Sequence, residues 1–309
     1  MTPGSRHTTG LPSALPRSPS RALQNPFVDV IRRGIMRRTP LKIPLRLSLT
    51  TLLTGLVAAI AAALLAAAPS TGAGAVAPRS VAPAAAAAVD HTVTFVNSSG
   101  RKVWIGSAVN ADESKNFDKL PILEPGQSAT VTIPETTAPG HWRGKFFARM
   151  GCTGTPGSTF HCAVGDCGKF ADHCAKGTGE QPVSLAEFNF DSKDAVAPWY
   201  DVSYVNAFSV PITIAPRNVS PGGGGCDTVG CANNLLPNCP ADNLTRWADG
   251  KPMLCTNPNR DARTAYSDMI ASHCPKAYGW SRQDQEPGNK VMQQCSKCSG
   301  FLVTFHRAS

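Results

Sequence analysis

The stretch WYDVSYVNAFSVPITIAP, Trp199 to Pro216, is dense in β-branched and aromatic residues. Such residues favour extended chain, because their side chains pack well on a pleated surface. Side chains on a strand alternate between two faces. If Trp199 to Phe208 were extended throughout, Tyr200, Val202, Tyr204 and Asn206 would share one face, and Trp199, Asp201, Ser203 and Val205 the other. At least part of this set must then point into a core. PITIAP repeats the pattern in a shorter run after Pro211.

The same signature recurs on both sides. TVTFV, KVWIGSAV, ATVTI, GKFFARM, SLAEFNF and FLVTFH are short runs of this kind, each flanked by Gly, Pro, Asn or Ser. Regular spacing of such runs, with turn residues between them, indicates an all-β sandwich or barrel. One segment differs. In RTAYSDMIASHCP the residues Ala265, Met269, Ile270 and Cys274 recur near helical period and Pro275 ends the run, which predicts a single helix in a satellite lobe.

The eleven cysteines all lie between Cys152 and Cys298. In HCAVGDCGKFADHC, residues 161–174, three of them stand with His161 and His173, a composition that suits either zinc or disulfides. The N-terminal region favours disulfides. The first 89 residues carry ten Arg or Lys and one acid, the whole of the net charge of +9. Within them Arg37, Arg38, Lys42 and Arg46 precede the apolar run LSLTTLLTGLVAAIAAALLAAAP, the pattern of an export signal, with Ala73-Gly74-Ala75 as a plausible cleavage site. Residues 1–46 are therefore expected to be a disordered basic leader, 47–75 the signal and cleavage zone, and 76–89 an Ala/Pro-rich linker before a domain from 90 to 309. Pro40 and the long gap after the arginine pairs favour the general secretory route over twin-arginine export.

A secreted chain dense in cysteine normally forms disulfides. The cysteine gaps are irregular, with CxxC only at Cys295 and Cys298, so no metal and no cofactor is expected. The segments 151–182 and 226–276 hold most of the cysteines and few apolar runs. Loops of that length need closing, and each disulfide contributes about 2–4 kcal/mol by restricting the unfolded chain. From Asp90 onward basic and acidic residues balance, which excludes the concentrated basic face that nucleic-acid binding needs.

GKFFARMGC, VGDCG, SLAEFNF, WYDVSYVNAFSVPITIAP, CPKAY and VTFH, in this order, resemble the thaumatin-like family of osmotin and thaumatin, a match spanning about residues 93–306. The resemblance implies a two-sheet antiparallel β-sandwich with two disulfide-rich side lobes, one carrying a short helix. By position it pairs Cys152 with Cys162, Cys167 with Cys174, Cys226 with Cys295, Cys231 with Cys274, and Cys239 with Cys255. Cys298 is left over, free or competing with Cys295 for Cys226. The family's usual disulfide between first and last strand is missing, since VNSS near Ser98 and His306 stand where its cysteines would be.

The resemblance also implies a cleft lined by one Arg, one Glu and three Asp. Mapped by motif these are Arg149, Glu187, Asp201, Asn206 in place of an acid, and Asp284. Two carboxyl groups are what glycoside hydrolysis requires, one to protonate the leaving oxygen and one to act as base or nucleophile. Glu187 and Asp201 are the candidates, with Arg149 expected to hold one of them ionised. Tyr200 and Tyr204 are candidates for a stacking platform beneath a sugar. Acids on sandwich strands are more often solvated surface residues, and aromatics more often core.

The implied protein is a secreted monomer that binds β-1,3-glucan, with antifungal action and weak hydrolysis, and no membrane contact once the signal is removed. An inhibitor of a secreted hydrolase or protease, or a non-catalytic extracellular structural protein, are the alternatives. Asn97, Asn218 and Asn243 open glycosylation sequons that are expected to be unused.

Overall fold

The computed structural model describes residues 90–175, 178, 182–194, 197–222 and 224–308. The leader, signal and linker expected over 1–89 lie outside the described residues. No helix among the described residues is long and apolar enough to cross a membrane.

The chain order is β1 (Thr92–Asn97), β2 (Val103–Val109), β3 (Ile122–Leu123), β4 (Ser128–Thr132), β5 (Trp142–Thr153), β6 (His161–Val164), β7 (Leu185–Phe190) and β8 (Trp199–Ser203). There follow β9 (Ala207–Phe208), β10 (Ile212–Arg217), β11 (Val229–Gly230), β12 (Leu244–Arg246), β13 (Pro252–Thr256), α1 (Ala265–His273), β14 (Met292–Gln294) and β15 (Gly300–Phe305). One sheet runs β11-β10-β15-β1-β4, and the facing sheet runs β14-β8-β7-β5-β2-β3 with β6 added to β5. All eight sequence-predicted runs are strands, and the predicted helix is α1, closed at its N-terminus by a reciprocal Thr264–Ser267 capping box.

Alternation decides what lies between the sheets. Val93 and Phe95 of β1, and Phe301, Val303 and Phe305 of β15, are buried. They meet Phe146 of β5, Phe188 and Phe190 of β7, and Tyr200 of β8, with ring centroids 4.9 to 5.7 Å apart for Phe95–Phe146 and for Phe301 with the other three. The residues between these on β5, β7 and β8 point away from the sandwich. Most are nonetheless buried, because loops and lobes cover that outer face.

The first and last strands, which lack the family's disulfide, pair in parallel from Thr92↔Gly300 to Asn97↔Phe305. Asn97 is fully buried, its amide donating to the carbonyls of Arg101 and Leu123, so its glycosylation sequon is inaccessible.

The five disulfides are Cys152–Cys162, Cys167–Cys174, Cys226–Cys295, Cys231–Cys274 and Cys239–Cys255, and Cys298 is a buried free thiol. The thiols of 161–174 are thus consumed as cross-links. His161 is exposed, whereas His173 is half-buried and stacks on Phe170 at 4.6 Å. The long cysteine loops carry short elements that periodicity does not reveal. β6 folds back on β5 at the Cys152↔Cys162 pair, and β12, β13 and β9 form a small sheet of their own. Tyr266 of α1 docks the helical lobe to the end of β8, its hydroxyl donating to the Tyr204 carbonyl at 2.7 Å.

Candidate functional site

Three adjacent strands bring one cation and two acids into a row. Lys145 of β5 pairs with Glu187 of β7, and Glu187 pairs in turn with Asp201 of β8. Residues paired across antiparallel strands hold their Cβ atoms about 4.5–5.5 Å apart on one face. Each of the three is an outward residue of its strand, so the row is fixed by register. Lys145 Nζ lies 3.7 Å from Glu187 Oε1.

Burial differs along the row. Asp201 is 1% exposed and Lys145 5%, whereas the Glu187 side chain keeps 22% of its surface. Burial, then the Glu187 charge, raises the Asp201 carboxyl well above the usual range; Asp284 adds to this and Lys145 opposes it. Asp201 Oδ1 is buried without a hydrogen-bond partner. Burial lowers the Lys145 amine, while the Glu187 and Asp201 charges hold it up. The arrangement is a buried acid whose hold on its proton is strengthened, beside a partly solvated acid paired with Lys145. It can accept hydrogen bonds from hydroxyls at Glu187.

The turn after CPKAY closes this face. Tyr278 donates its backbone N–H to the Val202 carbonyl and accepts from Tyr204 N–H, which seats the segment beside β8. Burial first, then the charges of Asp201, Asp284 and Glu187, raises the Tyr278 phenol. Asp284 stands exposed on the short 3-10 turn Gln283–Gln285, and partial desolvation raises its carboxyl.

Four sequence-based expectations are corrected. Arg149 is not beside the acids. It lies four residues along β5 from Lys145, fully buried, donating to the carbonyls of Phe170, Ala171 and Gly168, and pairing with Asp166 at 3.5 Å. Its guanidinium also sits 4.6 Å from the Phe160 ring centre, so it is the anchor of the small lobe. Gly106 of β2 makes room for it, since a Cβ there would come within 2.8 Å of its side chain.

Tyr200 and Tyr204 are not a platform, because both are fully buried. Tyr200 faces the sandwich and donates to the Asp227 carbonyl, and the Tyr204 hydroxyl accepts from Ile212 N–H. Asn206 does not continue the alternation of β8. The strand stops at Ser203, and Asn206 lies in the turn before β9, its carbonyl accepting from Asn257 N–H.

Lys145 and Tyr278 are the groups that sequence reasoning missed. GKFFAR carries two basic residues on one face of a strand, and only the pairing register selects Lys145 over Arg149.

Comparison with known proteins identifies the family. A model of the thaumatin family matches residues 97–263. The pathogenesis-related thaumatin-like protein 3.5 of Cryptomeria japonica is 32% identical over 209 residues, covering 62% of this chain and 81% of that protein. A protein of Prunus avium named glucan endo-1,3-beta-glucosidase is 27% identical over 232 residues, covering 69% of this chain and 89% of that protein. Among solved structures, a thaumatin-like xylanase inhibitor aligns over 69% of this chain and 97% of that chain, at 16% identity and a TM-score of 0.39. The chain belongs to the thaumatin family.

Proposed function

We propose that this protein is secreted and, as a monomer, binds β-1,3-glucan over the row Lys145–Glu187–Asp201, hydrolysing it slowly if at all. The observation that carries the reading is the register of that row, which sets the partly solvated Glu187 beside the buried Asp201 and Lys145. Glu187 is the member that a polysaccharide can touch, accepting hydrogen bonds from sugar hydroxyls. Asp201, 1% exposed, acts through Glu187 rather than on the substrate. Hydrolysis needs two carboxyl groups at the scissile bond, and within the row Asp201 is buried while Glu187 is partly open, which favours binding over turnover.

The Prunus avium relative named as a glucan endo-1,3-beta-glucosidase supports the choice of polysaccharide. A fold alone would not, since one fold hosts many functions. The basic stretch followed by an apolar run, the pattern of an export signal, and the five disulfides support action outside the cell.

The test is co-sedimentation of the oxidised protein with insoluble β-1,3-glucan, with reducing-sugar release measured alongside. The protein is expected in the pellet. Glu187→Gln is expected to abolish any sugar release and to leave most of the binding, because the amide still offers an acceptor oxygen. A wild-type protein that stays in the supernatant would refute the reading.

A further inference from the structure

Strand β8 pairs with β7 on one side and with β14 on the other, and the two registers arrange the outward residues of the sheet in rows. The row Lys145–Glu187–Asp201 continues onto β14 as Met292. Two residues further along each strand a second row runs Arg143, Asn189, Trp199, Gln294. Tyr200 faces the sandwich, so its neighbours Trp199 and Asp201 share the outer face. Trp199 thus stands diagonally from Glu187 on one side and from Met292 on the other. Diagonal neighbours of this kind lie about 7–8 Å apart, within reach of an indole ring.

This corner of the sheet is open. Met292 is 39% exposed, one of the few large apolar side chains that face water, while Gln294 is exposed and Trp199 half-buried. Among the described residues, no hydrogen bond, ion pair or ring contact involves the Trp199 side chain. Other tryptophans are engaged. Trp142 donates its indole N–H to the Lys115 carbonyl at 3.0 Å and stacks on Phe146, Trp104 lies against Phe160, and Trp247 is covered by Arg101. Trp199 therefore offers a partly open apolar ring with a free donor at its edge, set between a carboxyl group and an amide. That combination suits a ligand with an apolar face and a polar rim. A β-linked glucose ring has this form, because its substituents are equatorial and its axial C–H bonds leave both faces apolar.

We infer that Trp199 is a sugar-stacking residue of this site: a glucosyl ring lies on the indole with Met292 beside it, and its rim hydroxyls reach Glu187 and Gln294. The inference rests on the glucan reading given above. It moves the aromatic platform from Tyr200 and Tyr204, which are buried, to the one aromatic of β8 that is both outward and partly open.

Titration calorimetry of the full disulfide-bonded protein with a soluble β-1,3-glucan oligosaccharide tests this, together with tryptophan emission of the same samples. Trp199→Ala is expected to weaken binding about 10-fold, and Trp199→Phe to retain most of the affinity because a ring remains. Met292→Ala should cost less, about 2-fold. Trp247→Phe, which alters a tryptophan already covered by Arg101 at 4.6 Å, should bind as wild type. Saturating oligosaccharide should change the emission of the wild-type protein, and the change should vanish in Trp199→Phe although that variant binds. A purely structural role for Trp199 would not produce that pattern. A wild-type protein that binds while Trp199→Ala binds equally tightly, or whose emission is the same with and without ligand, overturns this inference and leaves the glucan reading standing. No binding by the wild-type protein removes the glucan reading and the inference with it.

Discussion

Glu187 and Asp201 stand directly opposite one another on neighbouring strands, yet one keeps about a fifth of its side-chain surface and the other almost none. The difference comes from what covers β8. The Tyr278 segment bonds to the Val202 carbonyl and to Tyr204 N–H, which seats it beside β8, the strand of Asp201, rather than β7. Burial thereby strengthens the hold of Asp201 on its proton, while the neighbouring Glu187 stays open to accept hydrogen bonds.

The raised Asp201 carboxyl makes stability depend on pH. Its folded-state affinity for the proton exceeds that of the unfolded chain, where an aspartate titrates near 3.9. The folded protein therefore binds more protons, and this contribution is full below about pH 4 and is lost as pH rises through the folded-state value. Asp201→Asn removes the titrating group. Urea unfolding between pH 4 and 8 should show wild type losing stability relative to Asp201→Asn by up to about 1.4 kcal/mol per pH unit within the window. Parallel curves for the two proteins would refute the assignment.

Lys145 is the counter-charge of the row, and removing it leaves Glu187 without its ammonium. Lys145→Met should cost about 2 kcal/mol, less than for a fully buried pair because Glu187 is partly solvated. The double variant Lys145→Met with Glu187→Gln should recover part of that cost, which chemical denaturation of all four proteins would measure. Strict additivity would mean that the two groups do not interact.

Arg149 holds the small lobe rather than the acids. Arg149→Met should cost about 3 kcal/mol or more, since several buried carbonyls and Asp166 lose a charged donor. Hydrogen exchange should accelerate at residues 160–171, while the Asp201-dependent pH slope persists. Unaltered exchange in that segment would return Arg149 to some other role.

Cys298 is buried, its thiol donates to the Cys295 carbonyl, and burial pushes it up to about 11. Thiolate is the reactive form, so alkylation of the native protein at pH 8 should be slow. After unfolding without reductant, mass spectrometry should find one alkylated cysteine and five intact disulfides. Rapid native labelling, or no titratable thiol on unfolding, would contradict this structure.

Much of the architecture was legible in the chain. Strands β1, β2, β4, β5, β7, β8, β10 and β15 follow from β-branched runs bounded by turn residues, because pattern and propensity act locally. The short strands β6, β9 and β11–β14 were not, since each is two to five residues long and exists only because a partner strand or disulfide holds it. The same limit explains Tyr200 and Tyr204. Alternation separates them from Asp201 but does not say which face is the core.

From residue order came the eight longer strands and the helix, and from the motifs that resemble the thaumatin-like family came the acids Glu187 and Asp201 and a left-over eleventh cysteine. Patterns and motifs of this kind are local, so the chain carries them with it. Tertiary structure decided the rest. Register across β5, β7 and β8 chose Lys145 over Arg149 as the partner of Glu187. The packing around β8 buried Asp201 and left Glu187 partly open. Both are contacts between segments distant in sequence, and a side chain's charge state is set by what those contacts remove from water.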